Sequence, residues 1–160
     1  GYGAAAEDSF GAARTEAIDR ILAGDDANPL RRAYAGALRQ AIDNQAQFTA
    51  ALRGAPALTT AFSANPFSAA LAQIARVIGA RDALGARRQT FFLTFGGWDH
   101  HDEVLNNQQR MLAVVSKGLA EFRAALGELG VFDQVTTFSI SEFGRTLTSN
   151  GRGSDHGWGS

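Results

Sequence analysis

The sequence contains no cysteine and almost no lysine, since Lys117 is the only lysine among its 15 basic residues. Without cysteine, a disulfide framework, cysteine-based zinc knuckles and thiol catalysis are excluded, although no redox compartment is selected. Basic and acidic residues nearly balance, at 15 and 16, for a net charge of −1. This balance argues against a nucleic-acid-binding surface. No apolar run approaches the roughly 18 residues of a membrane span.

Common phosphate-binding and nucleophile motifs are also missing. Neither a G-x-G-x-x-G nor a Walker pattern follows a predicted strand, and no serine lies in a G-x-S-x-G elbow. The sequence therefore identifies no nucleophile. Because the chain begins at Gly1 and stops at Ser160 within a glycine-rich segment, we expect it to be an internal or C-terminally truncated piece of a longer protein.

Apolar residues recur with helical spacing in the first half of the chain. They predict a short helix around 17–22, a second from Pro29 toward Gly54, and a third from Pro66 through Ile78. The pairs Asn28-Pro29 and Asn65-Pro66 are typical helix starts, with a capping asparagine before a first-turn proline. Amphipathic helices are thus expected to precede the rest of the fold.

The second half of the chain predicts a strand, a long helix and another strand. Residues 89–95 form a nearly continuous apolar run, typical of a strand covered on both faces in a parallel sheet. Helical spacing follows from Val104 to Leu129 and ends at Gly130, and residues 134–140 favour a strand. The sequence therefore predicts a βαβ unit with parallel strands near 89–95 and 134–140. We expect one partial α/β domain over 1–160, with a helical lead-in over 1–64 and the βαβ unit over 65–160.

All three histidines and both tryptophans lie in two short glycine-containing segments, 96–102 and 153–159. The first segment directly follows one predicted strand, and the second lies a short loop beyond the other. Ligands of open α/β sheets bind outside the carboxyl ends of the strands. We therefore expect the two segments to meet at one functional edge.

Carboxylate and imidazole pairs within these segments indicate a metal site for zinc or manganese. Asp99 and His101 are two positions apart, so in an extended segment they point to the same side while His100 points away. His100 is an alternative ligand if the segment is helical. Asp155 and His156 form the second pair. The competing interpretation makes Asp99 a cap of the long helix and Asp155 a turn residue beside an exposed histidine.

Further candidates surround these pairs. Glu142 is either a ligand or proton-transfer group, or the surface ion-pair partner of Arg145. Arg145 could itself hold a phosphate or sulfate oxygen through two parallel hydrogen bonds. Trp98 and Trp158 are expected to wall and shield the site.

Three ordered motifs, TFGGWDHH at 94–101, SEFGRT at 141–146 and NGRGSDHGWG at 150–159, resemble the domain-of-unknown-function 1501 family. That family is bacterial, usually exported by the twin-arginine route, and grouped with the alkaline phosphatase and sulfatase superfamily. The resemblance implies an alkaline-phosphatase-like α/β sandwich, a periplasmic or exported location and a two-ion site. Asp99 and His101 would hold one ion, and Asp155 and His156 would contribute to the other. The family usually has threonine where His100 stands.

Two functional hypotheses follow from these residues and this resemblance. The first is a metal-dependent hydrolase acting on small phosphate or sulfate esters, with a nucleophile outside this chain. The second is an exported, non-catalytic binding or assembly protein on the same scaffold. A third, purely structural interpretation treats the histidines and aspartates as turn and cap residues. None of the three involves nucleic acid, and the oligomeric state is left open.

Overall fold

The computed structural model describes residues 9–24 and 27–158, which are largely helical. The helices are α1 (Ser9–Ala23), α2 (Pro29–Arg53), α3 (Pro66–Gly79) and α4 (Val104–Glu128), with a 3-10 turn at Phe132–Gln134. The chain divides into two compact units, one ending at Arg53 and the other beginning at Gly54. No helix within the described ranges is long and apolar enough to cross a membrane.

The first unit contains α1 and α2, which contact each other. Asn28 begins α2 as its sequence predicts, because its Oδ1 accepts the N–H of Leu30 at 2.9 Å ahead of the helical turn that starts at Pro29. Between the helices, Arg39 Nη1 donates to Asp19 Oδ1 at 2.6 Å. Both helices predicted for this region are confirmed, although α1 begins earlier than its apolar pattern.

The second unit is built on the packing of α3 against α4. Its buried core consists of apolar residues from both helices and the following turn: Leu71, Ala75, Ile78, Phe122, Ala125, Leu126 and Val131. Asn65 caps α3, since its Oδ1 accepts the N–H of Ser68 at 2.9 Å. Gly130 follows the C-terminal end of α4 with a φ of +68°. This is the left-handed conformation in which glycine commonly ends helices. These predicted helix boundaries are confirmed.

Two glutamates of α4 hold the segment that precedes α3. The carboxylate of Glu128 accepts the backbone N–H of Thr59 at 2.6 Å and of Thr60 at 2.9 Å, and also both hydroxyls. Glu121 accepts the hydroxyl of Ser63 at 2.5 Å. The N–H of Thr59, followed by the hydroxyl of Thr60, lowers the pKa of Glu128 to about 2. The N–H groups of Thr59 and Thr60 thus donate to an ionised carboxylate, where in a helix or a strand they would donate to a backbone carbonyl.

The predicted parallel strands near 89–95 and 134–140 are absent from the part of the chain that the structure describes. Residues 89–95 and 136–140 make no backbone–backbone hydrogen bonds there. A strand exists only through hydrogen bonds to a neighbouring strand, and an apolar run by itself supplies no neighbour. Leu93 and Val135 pack against the helical core, whereas Phe92, Phe138 and Ile140 are exposed. The prediction of an α/β, alkaline-phosphatase-like sandwich with a βαβ unit is therefore wrong.

The sheet that the described residues do form is small and antiparallel. It pairs β1 (Gly144–Arg145) with β2 (His156–Gly157), with Gly144 opposite Gly157 and Arg145 opposite His156. A Cβ atom at Gly157 would lie 2.6 Å from the carbonyl carbon of Arg145. Glycine is therefore required for this close backbone approach, which sets His156 directly beside Arg145.

Candidate metal centre

The two histidine-containing segments come together, and they do so without the predicted strand ends. Asp99 and His101 lie on the segment before α4, while His156 lies on β2. One oxygen, Asp99 Oδ1, is 2.6 Å from His156 Nε2 and 3.1 Å from His101 Nε2. The potential ligand atoms of these three residues all lie within 4.8 Å of one another. The closest contact therefore joins Asp99 of the predicted Asp99–His101 pair to His156 of the predicted Asp155–His156 pair.

Asp99 does not cap α4, so the alternative role considered for it is wrong. The N-cap position of α4 is Glu103, which has a left-handed φ of 47° and makes no side-chain capping bond. The carboxylate of Asp99 instead faces the two histidines. Asp99 and His101 do contact each other, with 3.1 Å between Oδ1 and Nε2, while their sharing of one ion stays a prediction.

The second segment is held beside the first by Asn150. Its Nδ2 donates to the carbonyl of His101 at 3.0 Å and to Asp155 Oδ1 at 3.2 Å. Its Oδ1 accepts the N–H of Gly153 at 2.8 Å, which closes the turn. Sequence reasoning gave Asn150 no role, because an Asn-Gly pair signals a turn without showing what the turn carries. Asn150 therefore links the turn to the ligand-bearing segment.

Asp155 contacts the candidate cluster from outside it. Its Oδ1 lies 3.0 Å from His101 Nδ1, while the opposite ring nitrogen of His101 faces Asp99. Such a carboxylate fixes the tautomer and orientation of a metal-binding histidine. The role of Asp155 as a direct ligand stays a prediction.

Ring stacking fixes the planes of the two imidazoles. The rings of His101 and His156 are stacked with centroids 5.0 Å apart, and Phe143 also stacks on His156, with 4.1 Å between centroids. The guanidinium carbon of Arg145 lies 5.2 Å from the centroid of the Phe143 ring. The histidines are thus part of a connected set of stacked side chains.

Both aspartates near the histidines favour their ionised form. The hydrogen bond with His156 is the main cause that lowers the pKa of Asp99. The pKa of Asp155 is lowered mainly by its hydrogen bond with His101, and next by that from Asn150. The cluster therefore presents negatively charged oxygen beside imidazole nitrogen at neutral pH.

The remaining candidate residues, His100, Glu142 and Arg145, have different surroundings in the structure. His100 turns to Met111, with 3.3 Å between Nε2 and Sδ, and is not part of the three-residue cluster. Glu142 is exposed and has no ion-pair partner within the described residues. Arg145 instead lies 3.8 Å from Asp99 Oδ1, so the proposed Glu142–Arg145 ion pair is wrong.

The two tryptophans have different surroundings. Trp98 is half-buried, and its ring makes an edge-on contact with Phe95 at 5.8 Å between centroids. Phe95 in turn packs on Phe67 of α3. These aromatic contacts anchor the segment that carries Asp99 to the core. Trp158 is fully exposed. The prediction that both tryptophans shield the site is wrong for Trp158.

The donor set and its exposure fit a divalent metal ion. Two histidines and one carboxylate are a ligand set of catalytic zinc sites, which keep a further position for water or substrate. The side chains of Asp99, His101 and His156 are 59%, 52% and 47% exposed. Solvent and a small ligand can therefore reach the cluster directly.

Comparison with known proteins places the chain in a family. Searches of curated proteins and of solved structures found no significant match. A family model described as "Protein of unknown function (DUF1501)" matches residues 12–160. The match includes both segments of the candidate metal centre and almost the whole chain. The chain therefore belongs to the DUF1501 family.

Proposed function

We propose that Asp99, His101 and His156 bind one divalent metal ion, with zinc or manganese as the expected metals. The observation that carries this proposal is the approach of both histidines to a single carboxylate oxygen, at 3.1 and 2.6 Å. A carboxylate with two imidazoles suits these borderline ions. The partial exposure of all three side chains supports access from solvent.

The reaction we propose is hydrolysis of small phosphate or sulfate esters. Asp99, His101 and His156 would hold the ion, which would supply Lewis-acid chemistry by lowering the pKa of bound water and polarising an ester oxygen. The chain's own residues orient this centre, because Asp155 fixes the ring of His101 and Phe143 fixes that of His156. The ester class and export to the periplasm rest on the resemblance of the three sequence motifs.

Metal content tests the binding site directly. The protein is purified without chelator, loaded with zinc or manganese, and analysed for bound metal per chain. We expect about one ion in the wild type and a loss of at least tenfold in affinity for Asp99→Asn, because removal of a charged ligand weakens a three-ligand site. Asp82→Asn is the matched control, since Asp82 is a 92% exposed carboxylate outside the cluster. Stoichiometric, unweakened binding by Asp99→Asn contradicts the proposed ligand set.

Ester hydrolysis is tested on the metal-loaded protein with p-nitrophenyl phosphate and p-nitrophenyl sulfate. We expect turnover that chelator removes, that added metal restores, and that Asp99→Asn abolishes. Asp82→Asn should retain it. A protein that binds one ion yet hydrolyses neither ester would instead support the alternative of a non-catalytic, metal-containing binding or assembly protein.

A further inference from the structure

Arg145 joins the two segments that carry the candidate ligands. Its Nη1 donates to the carbonyl of Ser154 at 2.6 Å, and its Nη2 donates to the carbonyl of Trp98 at 2.9 Å. Trp98 directly precedes Asp99, and Ser154 lies two residues before His156. One side chain therefore fixes the backbone next to a ligand on each side of the cluster.

The surroundings of Arg145 turn its guanidinium toward the protein. The side chain is only 15% exposed, whereas that of neighbouring Asp99 is 59% exposed. The guanidinium carbon also lies over the ring of Phe143, which stacks on His156. An arginine that binds a substrate oxyanion needs donors directed at the ligand. Here each terminal nitrogen directs one of its two hydrogens at a backbone carbonyl, one on each ligand-bearing segment.

The chemistry of this link requires arginine. A guanidinium is a rigid planar fork that donates to two separate acceptors at once, whereas an ammonium is a compact point charge on a flexible stem. A lysine at position 145 would keep the positive charge near Asp99. It would not hold the carbonyls of Trp98 and Ser154 in one fixed geometry.

We propose that Arg145 is a positioning residue that sets the separation of the Asp99 and His156 segments, and that it is not the phosphate or sulfate clamp considered from sequence. The proposal rests on the proposed metal site for its functional consequence. Its structural part, the link between the two segments, is independent of any bound ion. Residues that orient ligands in this way commonly change metal affinity by about 10–100-fold.

The test compares Arg145→Lys and Arg145→Ala with Arg152→Ala, an exposed arginine on the same turn. Cobalt(II) is titrated as a spectroscopic probe, and backbone amide exchange over 97–101 and 153–157 is measured in metal-free protein. Far-UV circular dichroism verifies that the helices persist in each variant. We expect both Arg145 variants to bind cobalt at least tenfold more weakly, with an altered visible spectrum and faster exchange in both segments. Added guanidinium should partly restore Arg145→Ala, and Arg152→Ala should match the wild type.

The outcomes separate this inference from the metal proposal. If Arg145→Lys keeps the wild-type cobalt affinity, spectrum and exchange, the positioning role is overturned while the metal site stands. If the wild type shows no cobalt signature but Arg145→Ala exchanges faster in both segments, the metal proposal fails and the link stands. Inorganic phosphate is titrated as well. A loss of phosphate binding in Arg145→Lys with an unchanged cobalt spectrum would assign Arg145 to anion binding and overturn the inference.

Discussion

Replacing Gly157 by alanine is the most direct perturbation of the geometry that brings His156 to Asp99. The new Cβ would lie 2.6 Å from the carbonyl carbon of Arg145 and 2.8 Å from the backbone nitrogen of Thr146. Both are backbone atoms, so no side chain can swing aside to make room. The β1–β2 pairing must then separate, and it would move His156 away from the cluster.

The expected loss of metal affinity follows from comparing the free-energy cost of the added methyl group with the net stability of the β1–β2 hydrogen bonds. Forcing an extra methyl group into a closely packed position costs typically about 1–3 kcal/mol. Each hydrogen bond of the two-residue ladder contributes only about 0.5–1.5 kcal/mol net. The ladder therefore opens before the α3–α4 core unfolds. If metal binding must close it again, the same 1–3 kcal/mol corresponds to roughly 5- to 150-fold weaker metal binding.

Calorimetric titration with zinc, together with thermal unfolding, measures both effects. Gly96→Ala is the matched control, because no atom lies within 4 Å of the Cβ it would add and Gly96 is on the other ligand-bearing segment. We expect Gly157→Ala to lose affinity with little change in the unfolding temperature, and Gly96→Ala to behave as wild type. Equal affinities of Gly157→Ala and the wild type would refute the reasoning, as would equal losses in the two variants.

Three further predictions concern the helical core and its caps. Phe122→Ala should lower the free energy of unfolding by about 3–5 kcal/mol because Phe122 is only 5% exposed, whereas Leu119→Ala, at a site 38% exposed, should cost far less in urea unfolding. Asn65→Ala should lower the free energy of unfolding by about 1 kcal/mol through loss of the α3 cap, also measured by urea unfolding. Because the folded protein lowers the pKa of Glu128 from 4.5 to about 2, its ionised form stabilises the fold above pH 4.5, and this stabilisation is lost as the pH falls toward 2. Glu128→Gln should therefore flatten the acid dependence of the urea midpoint, and an unchanged slope would contradict the assignment.

Local signals were sufficient to predict the helices. The Asn-Pro pairs mark the starts of α2 and α3 because cap and first-turn geometry depend on adjacent residues. Gly130 likewise marks the end of α4 through its own conformation. These features are settled within a few residues of chain, and the structure has each of them where the sequence predicts it.

Strands depend on partners that are distant in sequence, and there the prediction failed. The apolar run at 89–95 is explained in the structure by contacts of Leu93 with the helical core and of Phe95 with Phe67. Phe92, directly before Leu93, is 84% exposed. Leu93 and Phe95 are therefore partly buried although their segment pairs with no strand. The apolar composition of this run predicted neither the exposure of Phe92 nor whether the backbone finds a hydrogen-bonding neighbour.

Convergence of the two Asp–His pairs was expected for a reason that the structure does not bear out. Strand ends do not bring them together; the antiparallel β1–β2 pairing and the hydrogen bonds of Arg145 and Asn150 do. Clustering of rare residue types therefore remained informative when the predicted architecture was wrong. The contribution of Asn150 needed the structure, since its acceptors lie five and 49 residues away in sequence.

The way in which the pairs combine bears on how many ions the site holds. The resemblance implies one ion for Asp99 with His101 and another involving Asp155 with His156. In the structure the shortest contact crosses between pairs, from Asp99 to His156, and His101 lies between the two carboxylates. A histidine has two ring nitrogens, so His101 can face an ion on the Asp99 side and hydrogen-bond to Asp155 on the other. This arrangement favours a single ion held by Asp99, His101 and His156, with Asp155 fixing the orientation of His101.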